Sequence, residues 1–237
     1  MSLFLTSDHH LGHTRIIEYC SRPFSSVEHM NDTLVDAWNS CVSDDDYVLH
    51  LGDVAFLKRL DEHTVSSLKK LRGKKVLVRG NHDRDVKLLK QLGWCVHGGK
   101  YKTAPQLNIG DITFVHNPDK AISTSKYVFH GHCHGTRGAV RNVDGVVYCD
   151  MGVDVSHNFE PVQVDDAFGL CAEELTNCVA DLYERYTCNN MFRADGECTC
   201  ESCGLVYRKH PMDEQQLSGI DGTPFLHVLC DGKRVKL

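Results

Sequence analysis

Seven residues in five separate segments carry side chains suited to holding cations: Asp8, His10, Asp53, Asn81, His116, His132 and His134. Carboxylate, amide and imidazole in this mixture suit a pair of divalent ions that share one carboxylate and activate a water between them. Two ions about 3.5–4 Å apart lower the pKa of that water, hold a phosphoryl oxygen and stabilise the charge of a pentacoordinate transition state. The donor set favours Mn, Fe, Zn or Ni over Mg, which prefers oxygen ligands. His82 stands next to Asn81, so one residue can hold an ion while its neighbour reaches the substrate. Taken alone, Gly80-Asn81-His82-Asp83 also suits a polar turn. What argues for a shared site is the recurrence of the same chemistry in five places.

Each of the five segments follows a strand-like apolar run, at residues 3–7, 47–51, 74–78, 112–115 and 127–129. Catalytic groups commonly sit at the carboxyl ends of strands in an α/β sheet. Asp8 and His10 are two residues apart, so in extended geometry both would point to one side and grip one ion. Between the strands, Ser25 or Ser26 can cap a helix whose apolar face is Val27, Met30, Leu34, Ala37, Trp38 and Cys41. Further helices are expected at about 60–71, 86–92 and 165–185. Hairpins are expected around the turns at Gly110-Asp111 and Asp144-Gly145. A guanidinium at Arg15 or Arg22 could hold phosphate, but an exposed, solvated arginine is the expectation for each. Asp44-Asp45-Asp46 reads as a solvated turn.

The chain has 237 residues, enough for one large α/β core and a small appendage. A net charge of −6 disfavours extended non-specific duplex binding. It leaves open a nucleotide or a nucleic-acid end as substrate, because bound divalent cations reverse the local sign. Residues 3–7 follow the first Met without a basic and then apolar leader, and no apolar run reaches the roughly 18–20 residues of a membrane span. A cytoplasmic protein is therefore expected, with its twelve cysteines reduced or bound to metal rather than paired.

The motif series Asp8-His9-His10, Gly52-Asp53, Gly80-Asn81-His82-Asp83, His116 and Gly131-His132-Cys133-His134 resembles that of the calcineurin-like metallophosphoesterases. The stretch 6–17, Arg22-Pro23-Phe24, Gly152-Val153-Asp154 and Pro161 look like the small bacterial and phage branch of that family. They extend the likeness to about residue 186. The resemblance implies a four-layer α-β-β-α sandwich, with two metals at one edge. It implies that Asp8, His10 and His134 hold one metal and that Asn81, His116 and His132 hold the other, with Asp53 bridging them. His82 would stabilise the transition state or protonate the leaving oxygen. The implied reaction is hydrolysis by a metal-bound hydroxide without a covalent intermediate. Phosphodiesters such as cyclic nucleotides or nucleic-acid ends are favoured as substrates. The alternatives are a phosphomonoesterase or protein phosphatase, and a non-catalytic metal-stabilised binding protein. His9, His13, His50 and His130 are expected to orient ligands or to pack, and Cys133 to pack.

After Tyr186 the composition changes, which divides the chain into 1–186 and a Cys-rich appendage, 187–237. Cys188, Cys198, Cys200 and Cys203 are expected to hold a structural zinc, with His210 or Cys230 as alternatives for a missing ligand. About fifty residues need such a staple or docking to fold. The appendage could serve recognition of nucleic acid or protein, or oligomer formation.

Overall fold

The computed structural model describes residues 1–56, 61–97, 105–122, 125–164 and 172–190, with strands at 197–199, 206–208, 228–230 and 233–235. The chain divides into two compact units, Met1–Tyr183 and Glu184–Leu237.

The first unit is mixed α/β with two five-stranded sheets, as expected of the metallophosphoesterase fold. In chain order its elements are β1 (Leu3–Thr6), α1 (Ile16–Tyr19), α2 (Val27–Cys41), β2 (Tyr47–His50), α3 (Glu62–Lys70), β3 (Lys74–Val78), α4 (Val86–Gln91) and β4 (Cys95–His97). There follow β5 (Gln106–Ile109), β6 (Ile112–Val115), β7 (Tyr127–His130), β8 (Val140–Val143), β9 (Val146–Asp150) and β10 (Val162–Gln163), and then α5 (Ala172–Asn190), which runs from the first unit into the second. One sheet has the order β10-β1-β2-β3-β4, with β1 to β4 parallel and β10 antiparallel at its edge. The other has the order β5-β6-β7-β9-β8, with β6, β7 and β9 parallel between two antiparallel edge strands. Parallel strands need crossovers, and α2, α3 and α4 provide them in the first sheet.

The sequence explains the helix placement. Ser26 caps α2 by accepting from His29 N–H (3.1 Å), and Met30, Leu34, Val35 and Trp38 bury one face. Asp61 caps α3 in the same way, from Thr64 N–H (2.6 Å). These faces close over Phe4, Val48, Leu77 and Val96 of the first sheet, together with Trp94. Burying each large side chain is worth about 1.5–3 kcal/mol. Leu3, Leu5, Leu49, Val76 and Val78, on the opposite face of that sheet, are buried as well. A sheet buried on both faces explains why its strands read as continuous apolar runs.

Two expectations need correction here. Arg22 is buried rather than solvated, paired through Nε and Nη2 with Asp154 (2.7 and 2.8 Å). Asp46 of the acidic run is also buried, because its carboxylate accepts from Ser2 N–H, Ser43 N–H and the Ser43 hydroxyl. The C-terminal helix is found at Ala172–Asn190, and its expected first turns at 165–171 lie outside the described residues. In the second unit, Glu197–Thr199 pairs with Val206–Arg208 and Val228–Cys230 with Lys233–Val235, both antiparallel. Of the expected zinc ligands, Cys200, Cys203 and His210 lie outside the described residues, as do the side chains of Cys188, Cys198 and Cys230. No described helix is long and apolar enough to cross a membrane.

Candidate active site

All seven predicted cation-holding residues leave the carboxyl ends of parallel strands: Asp8 and His10 after β1, Asp53 after β2, Asn81 after β3, His116 after β6, and His132 and His134 after β7. The two sheets are joined at these ends. Val153 N–H donates to Ser7 O (3.0 Å) and His132 N–H to Asp8 Oδ2 (2.8 Å). The seven side chains therefore come from both sheets to one place.

Asp8 Oδ1 stands 3.8 Å from His10 Nε2 and 3.9 Å from His134 Nε2. Asp53 Oδ2 stands 3.6 Å from His10 Nε2 and 3.3 Å from His116 Nε2, between the two halves of the cluster. His116 Nε2 lies 3.0 Å from Asn81 Oδ1 and 3.3 Å from His132 Nδ1. Ligand atoms of Asp8, His10 and His134 form one close group, and those of Asp8, Asp53 and His116 another.

The backbone achieves this in a way the strand periodicity does not. Asp8, His10, Asp53, His132 and His134 all have positive φ, between 48° and 71°. Asp8 and His10 thus converge through left-handed turns, and the extended alternation expected of them is corrected. Each such residue costs about 1–3 kcal/mol, and strain of this kind collects at functional sites. The glycines make room for it. A Cβ at Gly52, whose φ is +102°, would stand 2.6 Å from His116 Nδ1, and one at Gly131 would overlap the Ser7 hydroxyl and the Asp8 carboxylate.

Hydrogen bonds fix which ring atoms face the centre. His116 Nδ1 donates to Leu51 O (2.8 Å), which turns the Nε2 lone pair inward. His134 Nδ1 bonds Asp154 Oδ2 (2.7 Å) with the same result. Among the described residues Asp8 Oδ1 and His10 Nε2 are buried without a hydrogen-bond partner, which is costly for polar atoms unless something else satisfies them. Burial works to lower His116, but Asp53 and Asp8 outweigh it and push it up to about 9. Burial likewise opposes charge on His134, yet the bond to Asp154 pushes it up to about 10. Burial pushes the Asp8 carboxyl up to about 6. Burial also acts to raise Asp53, but its bond to His116 holds it well below the usual carboxylate range. The cluster is thus a buried place where positive charge is stabilised. Inward-facing ring nitrogens, orphaned buried polar atoms and an N/O donor set together fit divalent transition-metal ions, which would take the place of the ring protons.

His82 sits at the rim. Its Nε2 is 3.9 Å from Asp53 Oδ2, its ring lies 5.0 Å from that of His10, and 31% of its side chain is exposed. Its N–H donates to Asp53 Oδ1 (2.7 Å), so the loop that presents His82 also holds Asp53.

Other residues complete the site without a sequence signal that assigned them a role. Asp83 is fully buried and accepts from Asp53, Val54 and Gly80 N–H at 2.7–2.9 Å, which locks two motifs together. Arg22 reaches Asp8 O (2.7 Å) and His9 O (2.9 Å) as well as Asp154, although Asp154 is 132 residues away in sequence. Asp83 and Asp154 lie inside recognised motifs, and position was the only available hint. His9 and His50 pack as expected. Gly52 N–H donates to His50 Nδ1 (3.1 Å), so His50 Nε2–H donates to His9 Nδ1 (3.0 Å). Cys133 is buried, also as expected.

A family model described as calcineurin-like phosphoesterase matches residues 1–155 of the chain. An uncharacterized protein of Methanocaldococcus jannaschii is 37% identical over 134 residues, which is 56% of this chain and 69% of that one. The Gene 66 protein of Mycobacterium phage L5 is 29% identical over 160 residues, covering 55% of this chain and 76% of its own. Among solved structures, a protein of unknown function from Aquifex aeolicus shares the fold. Its TM-score is 0.51 and its identity 21%, over 68% of this chain and 95% of that one.

Proposed function

The chain belongs to the calcineurin-like phosphoesterase family, and from that premise we propose that it is a dinuclear-metal phosphodiesterase acting on nucleotide-type or nucleic-acid phosphodiesters. The observation that carries the reading is the meeting of seven N/O donors from the strand ends of two sheets around buried, unpartnered Asp8 Oδ1 and His10 Nε2. Asp8, His10 and His134 would hold one ion, and Asn81, His116 and His132 the other, with Asp53 between them. When bound, such ions supply an activated water and charge compensation for the phosphoryl group.

The remaining work falls to the chain's own side chains. Asp154 and the Leu51 carbonyl keep the His134 and His116 lone pairs aimed inward, so the donors are set before substrate arrives. Asp83 fixes the backbone of Asp53 and Gly80. His82 is accessible at the rim and delivers a proton from its imidazole to the departing oxygen. Arg22 is a brace for the site and not a substrate ligand. Its guanidinium is buried against Asp154 and the Asp8 and His9 carbonyls, so it holds the backbone that presents Asp8 and His10.

The test is hydrolysis of bis(p-nitrophenyl) phosphate beside p-nitrophenyl phosphate, after chelation and manganese add-back. The expected result is diester cleavage restored by manganese; on a dinucleotide, whose alkoxide must gain a proton as it leaves, His82→Ala should reduce cleavage about 10²- to 10⁴-fold, and far less on the nitrophenyl diester. Preferential cleavage of the monoester would replace the reading with a phosphomonoesterase. Silence on both esters by protein that binds two ions would replace it with a binding role.

We propose further that residues 187–237 form a separate appendage with a structural zinc held by Cys188, Cys198, Cys200 and Cys203. The support is Cys200-x-x-Cys203 in the connection between two paired strands. One zinc per chain beyond the active-site ions, lost in Cys203→Ser, is the expected metal analysis.

A further inference from the structure

A group of aromatic rings adjoins the donor cluster on the side of His82. His13 stacks on Phe56 with centroids 4.4 Å apart and planes 11° from parallel. Tyr19 stands edge-on to His13 at 6.3 Å. His82 contacts both members of the stack, 5.8 Å from His13 and 5.9 Å from Phe56. The short helix α1 creates this arrangement by burying Ile16 in the core while leaving Tyr19 66% exposed. His13 and Phe56 are half-buried. A single exposed aromatic residue would need no explanation. Here the exposed ring ends a cluster of rings that begins at His10, whose ring is 5.3 Å from that of His13 and tilted 48° to it.

We propose that Tyr19, His13 and Phe56 form a stacking subsite for the nucleobase of a nucleotide-type phosphodiester. The rings flank His82, so they receive the base carried on the oxygen that leaves. The inference rests on the phosphodiesterase reading and deepens it by naming the group beside the scissile bond. Aromatic faces accept any base, because every base has a π-face, so the subsite selects for the presence of a base and not for its identity. Stacking of this kind corresponds to a difference of about 5- to 150-fold in affinity.

The experiment is calorimetric binding of adenosine 5′-monophosphate and of inorganic phosphate to the manganese-reconstituted full chain. The nucleotide should bind about 5- to 150-fold more tightly than phosphate. Tyr19→Ala should draw that ratio toward one, and Tyr19→Phe, which keeps the ring, should preserve it. A ratio near one in the unaltered protein, or one that Tyr19→Ala leaves in place, overturns the subsite. Turnover of methyl p-nitrophenyl phosphate, which carries no base, reports separately on the catalytic reading. A high, Tyr19-dependent ratio without any such turnover would keep the subsite and sink the phosphodiesterase.

Discussion

His134 Nδ1 lies 2.7 Å from Asp154 Oδ2, and Arg22 holds the same carboxylate through two nitrogens. One side chain thus orients a cation-facing imidazole on β7's loop and neutralises a guanidinium that braces the Asp8-His9 backbone. Burial alone would raise Asp154, but these two partners hold it down at about 2. Asp154→Asn should therefore weaken metal binding about 10- to 100-fold, as measured by competition with a chelator. Asp154→Ala should in addition destabilise the fold by about 3–5 kcal/mol in urea, because it leaves Arg22 buried without its counter-charge.

Asp83 offers a sharper case, since a carboxylate with two acceptor oxygens meets three N–H donors. Asparagine at this position turns one acceptor into a donor facing a donor. Asp83→Asn is expected to cost about 1–3 kcal/mol in a denaturant titration. It should also weaken metal binding, because the backbone of Asp53 loses its anchor. Unchanged stability would mean that the loop is held by something else.

At Gly131 the space for a methyl group is taken by the Ser7 hydroxyl and the Asp8 carboxylate. Gly131→Ala must push apart the two sheet ends where they meet, at an expected cost of about 1–3 kcal/mol. Metal content after reconstitution should fall with it, since Asp8 is the group displaced. Retention of two ions with wild-type stability would contradict the close approach.

His9 and His50 set the acid limit. Burial lowers His9 to about 3 and His50 well below the ordinary value of 6.5; His50 Nδ1 must be unprotonated to accept from Gly52 N–H, and His9 Nδ1 to accept from His50. The unfolded chain binds protons below pH 6.5 that the folded chain refuses. Their stability contribution is therefore complete above pH 6.5 and is lost as pH falls from there toward 3. Each proton refused costs about 1.4 kcal/mol per pH unit. The urea midpoint of chelated protein should drop between pH 7 and pH 5, and a flat profile would refute the neutral pair.

The sequence by itself determined which donor groups stand at the strand ends and in what order. Apolar runs with acids and imidazoles at their ends identified the strands β1, β2, β3, β6 and β7, because apolar runs and the turn residues that bound them are local properties of the chain. The helix α2 was legible for the same reason, with Ser26 before its periodic apolar face. His82 and the seven donors could be named because each occupies a fixed place in a short motif. Only the tertiary structure decided how these groups meet. Asp8 and His10 converge through left-handed backbone, a choice made by the Arg22 and Gly52 bonds around them and not by strand periodicity. Arg22 and Asp154 are 132 residues apart, and no local pattern links a guanidinium to a carboxylate over that distance. Likewise, Tyr19, His13 and Phe56 become a single surface only when α1 and the loop after β2 pack side by side. Hydrogen bonds and ring contacts depend on distance in space, and spacing along the chain carries that information only within an element.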